Sequence, residues 1–330
     1  MGSLEGWTVG LWQRHDTLLY LEIAEHGYER RTDTIVFPPL YPIAVRAVAW
    51  VTFGDFLVAA LIVSTVASWL ALAVLFRLTE ELLDADVARW STTYQLIFPT
   101  GYILLAAYAE PMMLLLVVSS FYLARRDHWG WAGVAAFLAA LTRTQAAVLF
   151  VPLAVIAWRR SGRGWWRQRE LGWGIISGPL GAVAFQVYLI AAGLPRSDEV
   201  NRDVWGSVPT VPGYEVWLAV QDFFGPTTIG RRLALVLFVA AVLLTVLAFK
   251  KLPLEYGAFM TAMIVLVLLK HDQSGRPLLS FSRHALLLFP GFMALAATVR
   301  ERRGRIAFAY VSGAINALLL AVFFMWGFSE

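Results

Sequence analysis

Residues 56–77 read FLVAALIVSTVASWLALAVLFR, and no charged side chain interrupts the run before Arg77. A helix rising ~1.5 Å per residue over such a stretch covers the ~30 Å hydrocarbon layer of a bilayer. Comparable apolar runs follow it, at about 89–106, 108–124, 131–143, 146–158, 172–191, 233–249, 254–270, 284–299 and 306–327. The pair 131–143 and 146–158 also reads as one kinked hairpin. These runs are too uniformly apolar for barrel strands, which alternate over ~10 residues. An isolated spanning segment must satisfy its own backbone hydrogen bonds, so helices are expected.

Composition agrees with the runs. Of 330 residues, 59% are hydrophobic and 15% charged, against roughly 45–50% and about 25% in soluble domains; mean hydropathy is +0.64. The expected fold is an all-α integral membrane bundle of about ten spans, residues 1–330 forming a single multispanning domain. Neither an internal repeat nor a soluble domain is evident. A net charge of +4 gives no reason to invoke nucleic acid, because basic residues in such chains set topology. With no cysteine, disulfides, a thiolate nucleophile and a cysteine zinc site are excluded. No phosphate-binding loop, nucleophile elbow or zincin motif occurs.

Orientation follows from the basic loops. Residues 159–169 carry Arg159, Arg160, Arg163, Arg167 and Arg169, and a second cluster holds Arg300, Arg302, Arg303 and Arg305. Both fall on the same side by parity, and the positive-inside bias makes that side cytoplasmic. The integral membrane protein, in a plasma membrane if prokaryotic, then exposes 1–55, 192–232 and 271–283 on the extracytoplasmic face. Either an N-terminal helix preceding residue 1 or the helix that follows is expected to carry the first of these segments across.

Function is sought in those outer segments. Asp16 opens a stretch in which Tyr20, Ile23 and Ala24 recur at helical spacing; it reads as a carboxylate aimed at a cavity or as the N-cap of an interfacial helix. Phe37-Pro38-Pro39-Leu40-Tyr41-Pro42 reads as a rigid turn into another interfacial helix. Glu110 precedes Pro111 near membrane depth, where a carboxylate marks a functional site or complements a helix N-terminus. Arg143 lies between apolar runs and needs an anionic partner or a route to the headgroups. Lys270, His271, Arg276, Arg283 and His284 add cations on the same face, without the spacing of a metal pair. Residues 213–224 form an amphipathic stretch suited to an interfacial lid.

Taken in order, these blocks resemble the GPI mannosyltransferase II (PIG-V) family. Asp16, Tyr20, Ile23-Ala24 and Gly27-Tyr28 match its W-D-x-x-W-Y-x-x-I-A-x-x-G-Y signature, with His15 and Leu19 at the two Trp positions. Phe37 and Pro39-Leu40-Tyr41-Pro42 resemble F-F-P-L-Y-P. Tyr108 and Glu110 resemble Y-x-E-S, Leu141-Thr142-Arg143 resembles L-T-R, and Arg283-His284-Ala285-Leu286 resembles R-Y-x-L. The resemblance runs from about residue 12 to about residue 290.

It implies a GT-C glycosyltransferase fold and transfer of a hexose, mannose in that family, from a polyprenyl-phosphate carrier to a lipid-linked or glycolipid acceptor. Asp16 is then the catalytic carboxylate. His15, Tyr20, Tyr41, Glu110, Arg143, Arg283 and His284 surround the substrates, and membrane lipids enclose the whole. No cofactor is assigned; a divalent cation between Asp16 and the phosphate is a minor option because no second ligand accompanies the carboxylate. Two other classes stay open: a transporter or flippase of a lipid-linked substrate, and a non-catalytic partner of a membrane enzyme.

Overall fold

A computed structural model describes residues 9–162, 164 and 168–325, with Ile229 described in its backbone alone. Arg163, Trp165, Trp166 and Arg167 of the basic loop, and the last two residues of the run 306–327, lie outside the described residues. The chain is 77% helical.

In order, the α-helices are α1 (Asp16–His26), α2 (Leu40–Ala49), α3 (Phe56–Leu82), α4 (Ala85–Leu96), α5 (Glu110–Arg125), α6 (Trp129–Thr142), α7 (Phe150–Ser161), α8 (Arg169–Ala191) and α9 (Ser197–Asp203). After strand β1 (Ser207–Pro209) come α10 (Tyr214–Phe224), α11 (Ile229–Lys251) and α12 (Leu254–Leu268). Strand β2 (Lys270–Asp272) and helices α13 (Phe281–Leu286), α14 (Phe289–Thr298) and α15 (Arg302–Phe324) complete the chain. The two strands pair antiparallel, Ser207 opposite Asp272 and Pro209 opposite Lys270.

Helix α3 shows how the sequence builds the bundle. Asp55 caps it, its carboxylate accepting the Val58 N–H at 2.9 Å. Ala59, Ala60, Ser64, Ala67, Ser68 and Ala71 are buried, whereas Ile62, Val66, Trp69 and Leu70 face outward. Small residues let backbones approach closely where no aqueous hydrophobic drive is available, and the large apolar ones meet lipid. Glycines serve the same end between α6 and α8: a Cβ on Gly181 would lie 2.4 Å from the Phe137 carbonyl oxygen.

Four helices among the described residues are long and apolar enough to cross a membrane: Phe56–Leu82, Arg169–Ala191, Gly230–Lys251 and Arg302–Phe324. The expectation of about ten spans counted shorter apolar runs too; α6, α12 and α14, which fall within three of them, are apolar helices of only 10–17 residues. Two runs read as continuous are broken. The run 284–299 divides between α13 and α14 at Leu287 and Leu288, and Pro290 stands in the first turn of α14, where its missing N–H costs no helical hydrogen bond. The run 89–106 stops being α-helical at Leu96, ahead of Pro99 and Gly101.

Residues 97–109 then pass through turns and one 3₁₀ segment, and neighbouring side chains take up the freed carbonyls. Ser312 donates to Ile97, Asn316 to Phe98, Ser68 to Leu104, Thr17 to Ala107 and Ser64 to Tyr108. Irregular backbone at membrane depth is stable when it is packed in protein and satisfied in this way. This segment delivers Tyr108 and Glu110 to the interior, beside the N-terminus of α1.

Candidate active site

His15 takes up a left-handed backbone conformation, φ 49°, and turns the chain into α1 without a side-chain cap. Asp16 is therefore the first helical residue rather than the cap, and its carboxylate points elsewhere. It accepts a 2.5 Å hydrogen bond from Arg283 Nη1, 267 positions downstream. Arg283 also donates through Nη2 to Ser280 Oγ at 2.7 Å and lies over the Tyr108 ring, 5.7 Å from its centroid. Its Nη1 is 3.9 Å from Glu110 Oε1.

Glu110, 1% exposed, is the first residue of α5. Its Oε1 accepts a 2.6 Å bond from Arg143 Nη1, and its Oε2 is buried without a hydrogen-bond partner among the described residues. Arg143 reaches it because α6 ends there and the backbone becomes extended, φ −150°. The result is a chain of alternating charge, Asp16–Arg283–Glu110–Arg143, from four separate regions of sequence. Buried charges require such partners.

The chain borders a cavity of about 440 Å³ lined by His15, Asp16, Tyr20, Arg143, Arg283 and His284 together with Gln145, Asn201, Trp205, Glu215, Lys270, His271, Asp272 and Arg276. Glu110 lies behind it, holding the two arginines. Tyr20 borders the cavity with its ring against Phe37 and Tyr41 at centroid distances of 5.0 and 4.9 Å, and its hydroxyl has no hydrogen-bond partner among the described residues. Tyr41 is fully buried in the layer behind, sharing a 2.8 Å hydrogen bond with Ser64. His284 donates from Nδ1 to the Ser280 carbonyl at 2.7 Å, leaving Nε2 toward Gln145 at 3.5 Å.

The proton affinity of Asp16 is set by two opposed influences. Burial raises its pKa, but the Arg283 charge and hydrogen bond, with Arg143 and His15 behind them, outweigh burial and bring it below the ordinary 3.8. It is a carboxylate at neutral pH. Of the cavity's cations, Arg143, Arg283 and Arg276 pair with Glu110, Asp16 and Asp272. Lys270 has no carboxylate within ion-pair distance among the described residues. No group of three His, Asp or Glu side chains among the described residues is arranged to hold a metal ion, and Asp16 meets a guanidinium instead.

Sequence reasoning missed Glu215 and Asp272. Glu215 was visible only as an acid in an amphipathic stretch, yet it is 2% exposed and faces the cavity. The signal for it is weak: Glu215 shares its face of α10 with Ala219 and the half-buried Asp222, opposite the exposed Trp217, Val220 and Phe224.

This architecture is an all-α bundle built around long apolar helices. The crystal structure of ArnT from Cupriavidus metallidurans bound to undecaprenyl phosphate matches it with a TM-score of 0.60 at 17% identity, over 96% of this chain and 64% of that one. The apo state of the same protein gives 0.59 at 16% identity. The chain thus spans a little under two thirds of the length of ArnT. No family model matches the sequence, and no curated protein is similar to it.

Proposed function

We propose that the protein is a membrane glycosyltransferase of the GT-C type. In this reading it transfers a hexose, mannose by its likeness to the PIG-V family, from a polyprenyl-phosphate carrier to a hydroxyl of a lipid-linked or glycolipid acceptor. The observation that carries it is the Asp16–Arg283–Glu110–Arg143 chain bordering a cavity, in a fold shared with an enzyme whose crystal structure holds undecaprenyl phosphate. In this reading the basic loops lie in the cytoplasm and the cavity opens to the extracytoplasmic face, where nucleotide sugars are absent and a lipid-carried sugar is the natural donor.

The reaction is a single displacement. The acceptor hydroxyl attacks the anomeric carbon, the bond from that carbon to the phosphate oxygen breaks, and its electron pair stays on the phosphate. The hydroxyl proton goes to Asp16 as general base. Arg283 and Arg143 stabilise the charge that grows on the departing phosphate, for which preorganised guanidinium forks are well suited. Asp16, paired with Arg283, is a weak base. When Arg283 turns to the phosphate, Asp16 loses its strongest acidifying partner, so donor binding and base strength are coupled.

Sugar transfer in membranes containing the protein, with polyprenyl-phosphate mannose as donor and lipid mass spectrometry as readout, tests the reading. A new hexose-bearing lipid supports it. If neither mannose nor any other polyprenyl-phosphate sugar is transferred, the glycosyltransferase reading falls, and movement of intact carrier lipid would identify a flippase.

The same geometry sets a pH dependence. Because its pKa is depressed, Asp16 is fully ionised above the ordinary 3.8 and becomes protonated only as pH falls through the lower value in the folded protein. The acid limb of kcat/KM, which reports the free enzyme, is expected below that point. Arg283→Gln leaves burial as the dominant influence and should move the limb upward. A limb that stays in place would separate Asp16 from the titrating base.

A further inference from the structure

Arg283 is presented to Asp16 by a strained turn. Leu278 and Ser280 both occupy the left-handed backbone region, at φ 55° and 63°, and neither is glycine. Such a conformation is costly for a residue with a Cβ and persists only when its surroundings over-determine it. Ser280 connects the turn to catalysis twice, since its Oγ accepts from Arg283 Nη2 and its carbonyl from His284 Nδ1, both at 2.7 Å.

The other end of the turn is held from a different part of the chain. Glu215, on α10, accepts the Leu278 N–H on Oε2 at 2.9 Å and the His271 Nδ1–H on Oε1 at 2.6 Å. Both carboxylate oxygens are therefore committed, one to the strained turn and one to β2, which precedes it. A carboxylate buried to this degree is costly unless its bonds are needed, and the displacement chemistry gives Glu215 no step of its own.

We propose that Glu215 is a positioning residue for Arg283: it clamps the turn at Leu278 and so holds the guanidinium on Asp16, making α10 part of the catalytic frame. The continuous path runs from Glu215 to the Leu278 N–H, through the turn to Ser280, then to Arg283 and Asp16. Substrate contact is not needed for this role. The inference concerns the geometry of Arg283 and rests on the glycosyltransferase reading only for its effect on turnover.

Its test uses two readouts on the full-length protein purified in detergent, hydrogen exchange of the segment 276–284 and transfer kinetics. Glu215→Ala is expected to speed exchange in that segment by about tenfold or more, as a local opening would. It is expected to lower kcat about tenfold with donor KM changed less than about threefold, the pattern of an interaction lost in the transition state. Glu215→Gln retains an oxygen for the Leu278 N–H and should restore most of both. Where Glu215→Ala does not fold, Glu215→Asp, with its carboxylate withdrawn by one methylene, carries the same expectation at smaller size. Unchanged exchange in 276–284, or equal damage in the Gln and Ala variants, overturns the proposal. Faster exchange in a protein whose wild type transfers no sugar upholds the clamp and defeats the glycosyltransferase reading instead.

Discussion

Asp16→Asn is expected to lower hexose transfer by ~10²–10⁴-fold, the range for loss of a positioned general base, with the protein still folded. The substitution is nearly isosteric. Its amide oxygen can still accept the hydrogen bond that Arg283 Nη1 now gives to Asp16 at 2.5 Å, and Glu110, 3.9 Å from the same nitrogen, remains as a counter-charge. What disappears is the capacity to take a proton. Lipid mass spectrometry of membranes carrying wild type or variant reads the effect directly, with the thermal unfolding midpoint of the purified protein as control for folding. A variant that transfers hexose as well as wild type would make Asp16 only an anchor for Arg283. Asp16→Ala is a poorer probe, because it removes the hydrogen-bond acceptor together with the base.

The sequence disclosed this arrangement unevenly, for physical reasons. That the chain is an all-helical membrane protein is legible in α3 alone, because transfer of apolar surface into lipid depends on composition and length. Where helices break is less legible: Phe98, Ile103 and Leu104 are apolar and buried in a segment that is not α-helical. Apolarity there reports burial in protein, and the hydroxyls that satisfy the bent backbone sit on α1, α3 and α15. Asp16, Glu110, Arg143 and Arg283 each stood out as charges among apolar neighbours. Their pairing did not, since the 267 positions between Asp16 and Arg283 are closed only by tertiary structure. Tyr41 shared a motif with site residues, yet the structure uses its ring and hydroxyl in the packing behind Tyr20. Glu215 was hidden for the opposite reason: acids are ordinary on an amphipathic helix, and only the fold turns this one inward.

The ion pair behind the cavity supports the other large prediction. Glu110→Ala is expected to destabilise the protein by ~3–5 kcal/mol, the cost of removing one partner from a buried pair. The carboxylate is 1% exposed, so it has no water to fall back on, and the Arg143 side chain that donates to it at 2.6 Å is only 12% exposed, where it borders the cavity. Arg143 would be left uncompensated, and Arg283 would depend on Asp16 alone. Glu110→Gln should cost less, since its amide oxygen still accepts from Arg143 while the charge is lost. The double variant Glu110→Gln/Arg143→Met removes both charges and should cost less than the sum of its single substitutions, with coupling of about 0.5–3 kcal/mol for residues in one network. Unfolding midpoints of the four proteins in one detergent close this cycle, and additive shifts would mean the two side chains act independently. Catalysis should follow a different order. Arg143→Met removes a guanidinium from the cavity, so the double variant, though less damaged in stability than the single changes predict, should regain no activity over Arg143→Met. Stability then reports the balance of charge behind the cavity, while turnover reports the cations that face the phosphate.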